Sequence, residues 1–187
     1  MAKKIALPRA GAYRRTLAVV LLVLSLAHGA APRAQQVNEP ALKAAFVLNF
    51  AKFVEWPEGH PARSGAAVIC SADPAVAAEL QAAVAAIPGD KHRIEIRGIA
   101  PPAGVTGCSV AYLNKLDDRQ LSELMPVLHA ASVLSVSDMP DFARRGGMIH
   151  LYFKSGRMRF ALNLRPFTLA RLKPDVRLMT LAESILN

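Results

Sequence analysis

The residues that could do chemistry are scattered along this chain. Four histidines lie beyond the N-terminal segment, His60, His92, His129 and His150. No two of them take the H-x-x-x-H spacing that turns a pair of imidazoles toward one metal ion. Ser109, Ser132, Ser135 and Ser137 carry hydroxyls, yet none sits in a G-x-S-x-G elbow, which disfavours a serine hydrolase. Phosphate-cradling loops are missing as well. Neither G-x-x-x-x-G-K-[ST] nor a G-x-G-x-x-G after the first strand occurs, and Ser71-Ala72-Asp73-Pro74 stands in that place and reads as a helix start. Asp138 and Asp141 flank Met139-Pro140, where two acids shape a turn. Arg144-Arg145 before Gly146-Gly147 reads either as part of a turn or as a pair of planar guanidinium groups able to hold an acidic partner.

Charge narrows the choice further. The chain of 187 residues has 23 basic and 14 acidic side chains, net +9. Residues 1–34 hold six of the bases (Lys3, Lys4, Arg9, Arg14, Arg15, Arg33) and no acid, around an apolar run over residues 16–27 followed by small residues. That is the pattern of a secretory signal peptide, with a run too short to span a bilayer comfortably. Its removal after Ala34 would leave 17 bases against 14 acids, +3, which gives no support to a nucleic-acid partner. Cys70 and Cys108 are the only cysteines. In an exported chain an even pair forms a disulfide more often than two free thiols, the other reading being two buried thiols on neighbouring strands. No C-x-x-C is present, so disulfide exchange is not indicated.

The elements that must position these groups follow from periodicity. Asn38 and Pro40 open a helix that is expected to run to Trp56 and stop at Pro57. Leu42, Phe46, Val47, Phe50, Phe53 and Val54 would share one face of it, leaving Leu48 and Trp56 outside that face as candidates for contact with a partner. Strands are expected at 66–70, 92–99, 108–113 and 132–136, with helices at 74–87 and from Asp117 onward, then a short helix starting at Pro166 and a last one over 176–185. Alternating strands and helices predict a single compact three-layer α/β domain over residues 37–187. Its sheet is mostly parallel, flanked by helices, and Rossmann-like without a dinucleotide fingerprint.

A C-terminal β-hairpin is added near one edge. Ser155-Gly156 makes a two-residue turn that pairs Phe153 with Met158, Leu151 with Phe160 and Ile149 with Leu162 on an apolar face. The opposite face pairs Lys154 with Arg157, Tyr152 with Arg159, His150 with Ala161 and Met148 with Asn163. Arg144, Arg145, His150, Tyr152, Arg159 and Asn163 are the candidate partner-binding residues.

Two blocks, ALKAAFVLNFAKFVEWP at 41–57 and VLSVSDMPDFARRGGMIHLYFKSGRMRFALNL at 133–164, resemble the two signature regions of the YfiR family of exported bacterial proteins. The resemblance implies a periplasmic regulator without catalytic activity or cofactor. Its partner would be the periplasmic sensor domain of an inner-membrane diguanylate cyclase, which it represses, with an outer-membrane lipoprotein as a further partner and a homodimer as a further state. It also implies a disulfide between Cys70 and Cys108. A periplasmic small-molecule binding or transport-accessory domain, using the crevice at the strand ends, is the alternative.

Overall fold

The computed structural model describes residues 38–87 and 94–187; the leader read over residues 1–34, the turn at Gly89-Asp90 and His92 lie outside them. Helix α1 (Glu39–Phe50) is capped by Asn38, whose Oδ1 accepts from Ala41 N at 3.2 Å, with Pro40 in its first turn. It ends earlier than its periodicity predicts. The chain tightens into a 3₁₀ turn (Ala51–Phe53) and then becomes strand β1 (Val54–Glu55). The face drawn through Phe53 and Val54 is therefore broken: Ala44, Val47, Leu48 and Phe50 are the buried residues of α1, while Leu42 and Phe46 are only partly buried. Leu48 and Trp56 are 7% and 4% exposed and belong to the core, not to a partner-facing surface.

Strand β2 (Val68–Ser71) leads into α2 (Pro74–Ala85), capped by Asp73, whose Oδ1 accepts from Ala75 N at 2.8 Å. Then come β3 (Glu95–Gly98), β4 (Val110–Leu113) and α3 (Asp118–Ala130). A capping box between Asp117 and Gln120 opens α3 by satisfying two helix-end donors reciprocally. Strand β5 (Leu134–Ser137), the hairpin β6 (Ile149–Lys154) and β7 (Arg157–Asn163), helix α4 (Leu164–Leu169), strand β8 (Lys173–Pro174), helix α5 (Val176–Leu181) and strand β9 (Ser184–Leu186) complete the chain.

The main sheet has seven strands in the order β3-β2-β4-β5-β6-β7-β9. The first five run parallel, β7 is antiparallel to β6, and β9 is parallel to β7. A small separate pair joins β1 and β8 antiparallel. The hairpin pairs in the expected register, Ile149 with Leu162, Leu151 with Phe160 and Tyr152 with Arg159. Both turn residues have positive φ, +50° at Ser155 and +73° at Gly156, as a two-residue hairpin loop that matches strand twist requires.

The last helix is a correction. It stops at Leu181, and Ala182 is extended, so residues expected to be helical become β9 beside β7, with Glu183 N donating to Phe160 O at 2.9 Å. The hairpin thus lies one strand in from the edge. Helices α1 and α2 cover one face of the sheet, over Ile69, Val110, Leu134, Ile149 and Leu162, with Phe167 and Leu178 joining the same core. Helix α3 covers the other face over Ala111 and Leu113, together with Phe142. There Cys70 and Cys108 are joined in a disulfide with Cα atoms 5.9 Å apart, both sulfurs being buried. Gly147 is required by contact: a Cβ on it would lie 2.1 Å from Cε1 of the buried Phe142 ring.

Candidate functional site

Helix α3 covers only part of its face of the sheet. Beyond it, the loop at 141–144, the polar face of the hairpin and strand β9 enclose a groove of about 420 Å³, and none of its lining residues is helical. His150 and Tyr152, two apart on β6 and therefore on one face, form its floor with Ala161 of β7, and their ring centroids are 5.3 Å apart. Burial pushes the ionisation of His150 below its ordinary range, partly opposed by the charges of Asp141 and Asp138. Near neutral pH the ring is uncharged, with one nitrogen donating and the other accepting.

Arg144 stands at the rim with 77% of its side chain exposed, and Asp141 is 3.8 Å away, too far for a hydrogen bond. An ion pair this exposed contributes little to stability, so the guanidinium is available to another molecule. Arg145 points elsewhere. It pairs with Asp118 at the start of α3 at 2.6 Å, so the two neighbouring arginines diverge. Asn163 is used internally: Nδ2 donates to Ala143 O at 2.7 Å, and Oδ1 caps α4 by accepting from Arg165 N at 3.2 Å. Arg159 lies beside a second, smaller cavity of about 270 Å³ with Lys154 and Arg157, its Nε 3.9 Å from Glu183. Glu183 also pairs with Lys154, which holds that carboxyl below its ordinary range.

Of the six residues read from the sequence, the structure thus gathers Arg144, His150 and Tyr152 on one groove and sets Arg159 beside it. Arg145 and Asn163 are engaged in intramolecular bonds. The third wall, Ser184, Ile185 and Leu186, is not legible in the sequence, where the helix expected over 176–185 takes in its first two residues. The three residues Ser184, Ile185 and Leu186 show no polar–apolar alternation and are too few to signal a strand by themselves.

The crevice at the carboxyl ends of the parallel strands is occupied by the chain's own polar groups. Lys43 Nζ lies 2.5 Å from both Glu39 and Asp138, Asn114 donates to Asp73 at 2.9 Å, and Ser71 Oγ donates to Asp73 O at 2.9 Å. The Tyr112 hydroxyl is buried there, and burial together with the acids Asp138, Asp73 and Glu39 strongly opposes its ionisation, so the phenol stays protonated far above its ordinary range. Among the described residues, no group of three or more His, Cys, Asp or Glu side chains is placed to hold a metal ion. An apolar groove of about 390 Å³ runs between α1 and α5, lined by Phe46, Phe53, Phe160 and Leu181 among others. Among the described residues no helix is long and apolar enough to cross a membrane.

These features define a class: a layered α/β domain, wound in its N-terminal half like nucleotide-binding domains but without their phosphate loop, with a groove along the polar side of its C-terminal hairpin. The chain belongs to the YfiR/HmsC-like family, whose sequence profile matches residues 40–183. No curated protein matches it. Among solved structures it is similar to a conserved domain protein from Vibrio cholerae O1 biovar El Tor, with 12% identity and a TM-score of 0.48 over 79% of this chain. The match spans 60% of that protein's length, and a likeness this low says nothing about function.

Proposed function

We propose that this protein is a non-catalytic regulator that acts in the periplasm, where it represses a membrane-bound diguanylate cyclase by contact with the cyclase's periplasmic sensor domain. Residues 1–34 are its cleaved signal peptide, and an outer-membrane lipoprotein that sequesters the protein relieves the repression. The supporting observation is the groove of Arg144, His150 and Tyr152 on the open sheet face of a YfiR/HmsC-like chain, a surface with an exposed cation and two aromatic rings. Repression requires tighter binding to the inactive sensor state than to the active one. A shift of about 100-fold in that equilibrium takes roughly 2.7 kcal/mol of differential affinity, which a few buried contacts can supply.

Deletion of the gene should raise cellular cyclic di-GMP, and the wild-type gene should restore the low level. Arg144→Glu and Tyr152→Ala should be exported and folded yet fail to restore it. An unchanged cyclic di-GMP level in the deletion strain would refute the proposal. Mass spectrometry of the exported protein should find a chain beginning after Ala34.

A further inference from the structure

The groove reaches the edge of the sheet, and this determines what kind of ligand fits it. A cavity lying on one face of a strand touches alternate residues, as it does on β6, where His150 and Tyr152 line it and Leu151 does not. On β9 it touches three residues in a row, Ser184, Ile185 and Leu186. The groove therefore follows the β9 backbone as well as its side chains. Strand β9 is hydrogen-bonded to β7 on one side only and is the last strand of the sheet, so its outer side offers unpaired backbone groups.

The surroundings of that edge are basic. Arg144, Lys154, Arg157 and Arg159 face two acids, Asp141 and Glu183. Arg157 is exposed and has no carboxylate partner among the described residues. Ile185 pairs with Leu162 and so points to the opposite side of the sheet from the arginines, and it is 43% exposed, a large apolar side chain left partly uncovered at the edge.

We propose that β9 is an augmentation edge that captures an extended acidic segment of the partner protein as an eighth strand. Beside β9, such a segment sets alternate side chains above and below the sheet. Carboxylates at two positions, i and i+2, meet Arg144 and Arg159, while an apolar side chain between them covers Ile185. The recognised pattern is therefore acidic–apolar–acidic in extended chain, with backbone hydrogen bonds supplying affinity and the arginines supplying selectivity. The identity of the partner rests on the regulator reading above, but the site itself does not.

The test uses the exported chain and a capped, dye-labelled decapeptide with Glu-Val-Glu at its centre, against the same peptide with Lys-Val-Lys. The Glu peptide should bind at least about tenfold more tightly by fluorescence anisotropy, and the difference should shrink with added salt. It should also slow hydrogen exchange at Ser184, Ile185 and Leu186. N-methylation of alternate peptide nitrogens should abolish binding in one phase and spare it in the other, since only every second N–H faces β9. Arg144→Glu with Arg159→Glu, the first exposed and the second half-exposed, should remove the preference for the Glu peptide. Equal binding of the two peptides, loss of binding in both methylation phases, or protection of 184–186 that rises with protein concentration without peptide would overturn the proposal, the last by assigning the edge to a second copy of this chain. Peptide capture by a protein whose deletion leaves cyclic di-GMP unchanged would sink the regulator reading and leave the strand site standing. The converse pair of results would sink the site alone.

Discussion

Removing the Cys70–Cys108 bond tests how this fold is stabilised. Cys70 lies inside β2, and Cys108 stands two residues ahead of β4, which β2 already pairs with through Cys70 and Ala111. The link therefore joins segments that the sheet holds together anyway, and its main effect falls on the unfolded chain. A sequence separation of 38 corresponds to about 4 kcal/mol of lost unfolded-state entropy in the chain-entropy account. Cys70→Ala with Cys108→Ala should lower stability by that amount and the melting temperature by roughly 8–16 °C, taking about 2–4 °C per kcal/mol for a domain of this size. Urea unfolding of the oxidised protein, the reduced protein and the double variant should give one high midpoint and two similar low ones. The m value should rise when the link is absent, because the freed chain exposes more surface on unfolding. A loss below about 1 kcal/mol in both altered forms, with m unchanged, would refute the assignment of the bond's effect to the unfolded state.

Other perturbations test the packing around the groove. Gly147→Ala forces a methyl group to within 2.1 Å of the Phe142 ring, and overpacking of this kind costs about 1–3 kcal/mol; an unaltered melting temperature would show that the ring moves aside freely. Asn163→Ala removes both the α4 cap and the bond to Ala143 O, a loss of about 1–2 kcal/mol in denaturant titration. Asn163→Asp should recover the capping part alone. His60, His129 and His150 all ionise below their ordinary value, in each case chiefly because of burial. The unfolded chain then takes up protons that the folded state resists, so stability holds above pH about 6.5 and is lost as pH falls through the depressed native values. Urea midpoints from pH 8 to 5 should decline accordingly, and His129→Gln, which removes a ring whose Nε2 is buried without a partner, should flatten the decline.

Local chemistry makes much of this molecule legible in its sequence. Ser155-Gly156 and the alternation on either side of it agree on a single hairpin register, because a slip of one residue would turn His150, Tyr152 and Arg159 into the core. Asn38, Asp73 and Asp117 announce helix starts since a cap needs only its own next few residues. The absence of phosphate loops and catalytic spacings was equally visible.

What the sequence could not determine was settled by partners far along the chain. Helix α1 stops at Phe50 because Val54 and Glu55 pair with Pro174 and Lys173 and Phe53 O accepts from Asp175 N at 2.8 Å, so a helical period that looks continuous is cut by a distant strand. Leu48 and Trp56 are buried by the core that forms around α1 and β1, which a period read along one helix does not show. Ser184 and Ile185, read from the sequence as the end of a helix, join Leu186 in β9 because β7 offers an open edge, and with β9 comes the third wall of the groove. Arg144 and Arg145, adjacent and chemically identical, are separated by where Asp118 sits. Capping and turn preferences act over a few residues, so sequence alone carries them. The ends of elements and the freedom of a charged side chain depend on energies supplied by segments that meet only once the chain has folded.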